Sequence, residues 1–197
     1  IMALPLNNNN EMEWLSLLLG PIKTLWTWNK RPKPIFEFEY RLSKTEENPY
    51  CQFRRNTTED LPGWFFRLGI NNKGETTIPN ANVMVEKINS IDETGKETQF
   101  SSAPFFLHWA NENTDNSRNL YQDTPVYIDL LYSVESKKDA FLYCKSKHEG
   151  AGIRRFLPIG IFLIHLKLVG DNIKPLKQRV KVSVNGGWET IVIQLID

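Results

Sequence analysis

From residue 35 to residue 195, apolar and polar side chains keep exchanging places at every second position, and that period decides what the chain can fold into. Residues 35–42 read IFEFEYRL. Phe36, Phe38, Tyr40 and Leu42 fall on one side of a pleated strand, and Glu37, Glu39 and Arg41 fall on the other. Strands are expected likewise over 64–71, 82–91, 105–109, 126–134, 140–145, 159–169, 176–184 and 188–195. Turn chemistry separates several of them: Asn71-Asn72-Lys73-Gly74, the stretch 92–96 with Gly95, and Asn185-Gly186-Gly187. Gly74 is able to take a positive φ there. Residues 43–63 and 111–122 read as polar connections, and 146–155 as a basic, glycine-bearing loop.

Parallel sheets need crossover helices, and no helical period is readable after residue 34. The expectation is therefore all-β: an antiparallel, immunoglobulin-like β-sandwich of about eight or nine strands behind a short N-terminal helical segment. With 197 residues, such a domain hides about 70% of its unfolded surface and needs no covalent staple. The two cysteines, Cys51 and Cys144, read as buried free thiols, with a single disulfide between them as the alternative.

Residues 14–28, WLSLLLGPIKTLWTW, break the pattern. Trp14, Leu17, Leu18, Leu25 and Trp28 fall on one helical face, with Trp26 on a second apolar face. Fifteen helical residues cover about 22 Å, short of the roughly 30 Å bilayer core. Gly20-Pro21 splits the run into two short helices. So apolar a segment must meet protein or lipid. It is expected to pack on the sandwich or a sister subunit, or to lie in a membrane interface with Lys30, Arg31 and Lys33 against anionic headgroups. Pro32 and Pro34 then make a stiff link, dividing the chain into residues 1–34 and the sandwich of 35–197. With no secretory signal readable and the basic cluster following the apolar run, the sandwich is expected in the cytoplasm, peripheral to the inner membrane face.

Formal net charge is +1, so charge gives nucleic-acid binding no support. His108, His148 and His165 match no metal-binding spacing; His165, alternating with Ile161 and Leu163, reads as a core or edge histidine. No Gly-x-Ser-x-Gly elbow, Walker loop or GxGxxG is present. The sequence therefore calls for no catalytic residue, cofactor or metal. Its expected role is a non-catalytic interaction module with a protein partner, a second copy of itself or a membrane surface. Contact would run through Trp14, Leu17, Leu18, Leu25, Trp26, Trp28, Lys30, Arg31 and Lys33. Lys145, Lys147, Arg154 and Arg155 would form a secondary loop contact. The alternative is a carbohydrate-binding module using exposed tryptophan, although Trp64, Trp109 and Trp188 sit in or beside strands and read as core.

The stretch from residue 65 to 88, with its Asn-x-Gly turn and alternating valine strand, resembles the B–C region of immunoglobulin-like and CARDB-type modules. Together with Arg31-Pro32-Lys33-Pro34, Leu107-His108-Trp109 and Leu157-Pro158-Ile159-Gly160, it resembles a group of bacterial proteins with an apolar N-terminal segment and such a sandwich. The resemblance implies the sandwich fold and no activity.

Overall fold

The computed structural model describes residues 30–39, 48–54, 63–102, 104–111, 117–134, 136–144 and 155–196. The strands in chain order are β1 (Pro34–Glu37), β2 (Cys51–Arg54), β3 (Gly63–Asn72), β4 (Ile78–Ile91) and β5 (Glu97–Ser101). There follow β6 (Phe105–Phe106), β7 (His108–Trp109), β8 (Arg118–Leu120), β9 (Val126–Val134) and β10 (Ala140–Leu142). The last four are β11 (Phe156–Leu157), β12 (Gly160–Val169), β13 (Leu176–Val184) and β14 (Val192–Ile196). All pair antiparallel into two sheets. The first runs β1-β3-β9-β10-β11, with β2 also on β3 and β7 also on β9. The second runs β14-β13-β12-β4-β5, with β6 and β8 also on β4.

The two-layer, all-β expectation is borne out. Each long strand turns alternate side chains inward, so the layers share one core. Phe66, Leu68 and Ile70 of β3 and Ile128 of β9 belong to the same buried cluster as Val83 and Val85 of β4 and Ile164, Leu166 and Val182 of the second sheet. At one place the layers meet through stacked indoles. Trp64 of β3 and Trp188, in a 3-10 turn before β14, lie 3.9 Å apart at 15°.

The finer reading needs correction in several places. The expected strand at 105–109 is a corner. Phe105 and Phe106 pair with β4 in one sheet, and His108 and Trp109 pair with β9 in the other. Leu107 makes the crossing, its N–H donating to the Val83 carbonyl at 2.9 Å. The polar connections at 43–63 and 111–122 contribute β2 and β8, and β5 follows the 92–96 turn. These short strands carry few apolar side chains, so period two leaves no mark on them. The last strand starts at Val192, because Trp188–Thr190 forms the 3-10 turn. The first strand ends at Glu37, although Phe38 still packs on the core. Gly74 has no positive φ. It must be glycine because a Cβ there would overlap the Arg31 carbonyl and press on Pro32 and Lys33.

The expected helical segment at 14–28 lies outside the described residues. Among the described residues, no helix is long and apolar enough to cross a membrane.

Candidate interaction site

Two surfaces concentrate charge. The first is the end of the sandwich where residues 30–33 join the body. Asn72, at the end of β3, is fully buried and holds that entry in place. Its Oδ1 accepts the N–H groups of Lys33 (3.0 Å) and Gly74 (3.1 Å). Its Nδ2 donates to the carbonyls of Thr76 (2.8 Å) and Leu120 (3.3 Å). The Lys73 N–H returns a bond to the Lys33 carbonyl at 2.9 Å, and the Thr76 hydroxyl donates to the Lys30 carbonyl. Arg31, Pro32 and Pro34 then line a groove of about 630 Å³ with residues 172–176 of the β12–β13 turn.

Five exposed cations gather here: Lys30, Arg31, Lys33, Lys73 and Lys174. Among the described residues, the nearby carboxylates are Glu75, Asp123 and Asp171. Asp123 pairs with Lys73 at 3.4 Å, and Asp171 accepts from Asn80 Nδ2 at 2.7 Å. Tyr121, 56% exposed, stands at the same end, next to the Gln122–Asn72 bridge.

The second surface is the outer face of the second sheet. Register puts Lys87 of β4, His165 of β12 and Arg179 of β13 in one cross-strand row. A bulge opposite His165 and Leu166 inserts Glu86, so Glu86 and Lys87 reach the same face. Glu86 bridges Lys167 at 3.4 Å and Lys177 at 3.9 Å. Between these side chains runs a groove of about 570 Å³ that reaches Ile196 of β14. Burial holds the His165 imidazole below its ordinary 6.5. Lys87 and Arg179 act in the same direction, and Glu97 and Glu86 oppose them. Its Nε2 is buried without a hydrogen-bond partner. His165 is thus neither the core nor the edge histidine that its alternation suggested, but half-buried on the outer face of the central strand β12, with cations in its row on both sides.

The sequence-predicted contacts are placed unequally. Lys30, Arg31 and Lys33 come together at the first surface. Trp14, Leu17, Leu18, Leu25, Trp26, Trp28, Lys145, Lys147 and Arg154 lie outside the described residues. Arg155 is half-buried beside β11, its carbonyl accepting the Leu142 N–H at 2.8 Å. Trp109 and Trp188 are buried, and Trp64 spends a ring face on Trp188. Cys51 and Cys144 are free thiols, and Cys51 is half-buried rather than buried.

A third constellation sits on the outer face of the first sheet. Arg67 and Asp129 are each 1% exposed and joined from Nε to Oδ1 at 2.7 Å. Gln52 and Asn111 accept from the other two guanidinium nitrogens. Every nitrogen of the guanidinium is satisfied within the protein, so this set ties β2, β3 and β9 together. Among the described residues, no group of three or more His, Cys, Asp or Glu is placed to hold a metal ion.

Sequence reading overlooked the charged face of the second sheet. Its signal was present as Lys177, Arg179 and Lys181 at alternate positions, facing the same way as His165 and Lys167. Charges two apart look scattered along a sequence and become neighbours only on a strand. The chain matches no protein-family model and no curated protein sequence.

Proposed function

We propose that this chain is a non-catalytic interaction module that docks on an anionic membrane surface through residues 14–33, with the sandwich standing on the end where those residues join it. The observation that carries this reading is the ring of Lys30, Arg31, Lys33, Lys73 and Lys174 around that junction, with exposed Tyr121 beside it. Cations near an anionic bilayer each contribute about 1 kcal/mol, and tyrosine favours the headgroup level. The apolar run 14–28 would enter the interface, and the Asn72 bonds to Lys33 and Gly74 would pass its orientation to the body.

The test is co-sedimentation of the full chain with phosphatidylserine-containing and pure phosphatidylcholine vesicles. The expected result is binding to the anionic vesicles that weakens in salt and falls at least about tenfold when Lys30, Arg31, Lys33 and Lys174 are changed to Gln. Absence of the chain from both pellets would overturn the proposal. So would binding that is indifferent to lipid charge and to those four changes. A dimer that persists without lipid and shields the tryptophans of 14–28 would replace the membrane with a second copy of the chain.

A further inference from the structure

The outer face of the second sheet is not used by the membrane reading. Lys177, Arg179 and Lys181 take alternate positions along β13, which sets them about 7 Å apart on one side of the strand. Lys87 and Lys167 widen the array on β4 and β12. Against these five cations, among the described residues, the face carries two carboxylates, Glu86 and Glu97, and Glu86 is committed to Lys167 and Lys177. The chain as a whole has a formal net charge of only +1, so this excess is local.

The face also has an open border. β14 pairs with β13 on one side and ends the sheet on the other, among the described residues. Val192 of β14 is 40% exposed, and Ile196 lines the groove that reaches His165. An unpaired edge offers main-chain donors and acceptors to any extended segment laid along it.

From this arrangement we infer that the β13–β14 side of the second sheet is a docking surface for an extended acidic segment of a protein partner. An extended peptide repeats its side chains on one face about every 7 Å, the spacing of Lys177, Arg179 and Lys181. Paired with β14, such a segment lies two strand spacings, about 10 Å, from β13, so its alternate Asp or Glu side chains reach the long Arg179 and Lys181 side chains across Ile196 and Gln194, with Lys177 at the end of the array. The uncharged members of the face favour a peptide over a nucleic acid. They include the aliphatic Leu163, Val192 and Ile196 beside the open β14 edge, whereas the rings on this face, Phe106 and His165, are half-buried.

The test is fluorescence anisotropy of the full chain with a fluorescein-labelled peptide of alternating glutamate and threonine. The expected result is saturable binding that weakens with salt. The combined changes Lys177→Glu, Arg179→Glu and Lys181→Glu should lower affinity at least about tenfold, and the same three positions changed to Gln should lower it less. Far-ultraviolet circular dichroism verifies the fold of each variant, and the Gln set serves if the Glu set does not fold. The three positions lie outside the four changed in the vesicle experiment, so loss of peptide binding with vesicle binding intact assigns this face separately. No saturable binding would overturn the inference, as would equal affinity in the Gln set, or tighter binding of a single-stranded oligonucleotide than of the peptide.

Discussion

Arg67 of β3 and Asp129 of β9 meet side by side on the outer face of the first sheet, Nε to Oδ1 at 2.7 Å, with both side chains almost wholly out of water. Two charges removed from solvent are tolerable only when each is fully paired, and here Gln52 and Asn111 complete the guanidinium shell. Removing one partner strands the other. Asp129→Ala is expected to destabilise the fold by about 3–5 kcal/mol. The double change Arg67→Met with Asp129→Leu should cost clearly less, since no charge is left buried. Urea unfolding of the three proteins measures both. If the double variant is as unstable as the single one, the ion pair is not what the surroundings are built to satisfy.

Asn72 performs four hydrogen bonds from a fully buried position, two as acceptor and two as donor. Asn72→Ala leaves the N–H groups of Lys33 and Gly74 and the carbonyls of Thr76 and Leu120 without that partner, and a loss of about 2–4 kcal/mol is expected. The Lys33 amide should then exchange with solvent far faster than in the parent protein. Unchanged exchange at Lys33 would mean that the junction is held by something other than Asn72.

His165 gives the fold a pH dependence of defined sign. Its folded-state pKa lies below 6.5, so between that folded value and 6.5 the unfolded chain binds more protons. Stability is therefore complete above pH 6.5, declines as pH falls through the folded value, and levels off below it. The charged groups facing the ring are Lys87, Arg179, Glu97 and Glu86, with Lys167 and Lys177 in the adjoining row. Urea midpoints collected from about pH 5 to about pH 8 should show this slope, and His165→Gln should flatten its share of it. An identical pH profile in the variant would show that the ring titrates as it does in an unfolded chain.

Cys51 should be a sluggish thiol. Burial pushes it up to about 11, with the Arg67 guanidinium pulling weakly the other way. The thiolate is the reactive form, so alkylation at this site, followed by peptide mass spectrometry, should still be accelerating about tenfold per pH unit at pH 9. A rate that levels off near pH 8.5 would mean that the thiol is ordinary and open to water.

The long strands were legible because each turns one face to the core. Residues 126–134 and 176–184 were legible with the bounds they have, since Val126, Ile128, Val180 and Val182 mark period two. The short strands β2, β5 and β8 were not, because Gln52, Thr98 and Asn119 join the ladders through backbone hydrogen bonds that leave no hydrophobic trace. The corner at Leu107 was hidden because its neighbours are apolar in both layers. Gly74 was picked out by its turn motif for a conformation it does not adopt, and the pressure of Arg31 and Pro32 on it arises from residues far off in the sequence that no local pattern contains. Of the candidate surfaces, Lys30, Arg31 and Lys33 were readable as a contiguous cluster. Lys73, Lys174 and Tyr121 join them only through the fold.

The most direct measurement of the docking proposal is tryptophan fluorescence of the full chain on phosphatidylserine vesicles containing lipids brominated along the acyl chain. Trp109 and Trp188 are buried in the body and Trp64 is stacked on Trp188, so lipid-dependent quenching must come chiefly from Trp14, Trp26 and Trp28. The account predicts strong quenching by bromines close to the headgroups, weaker quenching by bromines near the bilayer centre, and loss of the effect when those three residues are changed to Phe. Emission unchanged by any brominated lipid, at concentrations where the vesicles are in large excess, would contradict it.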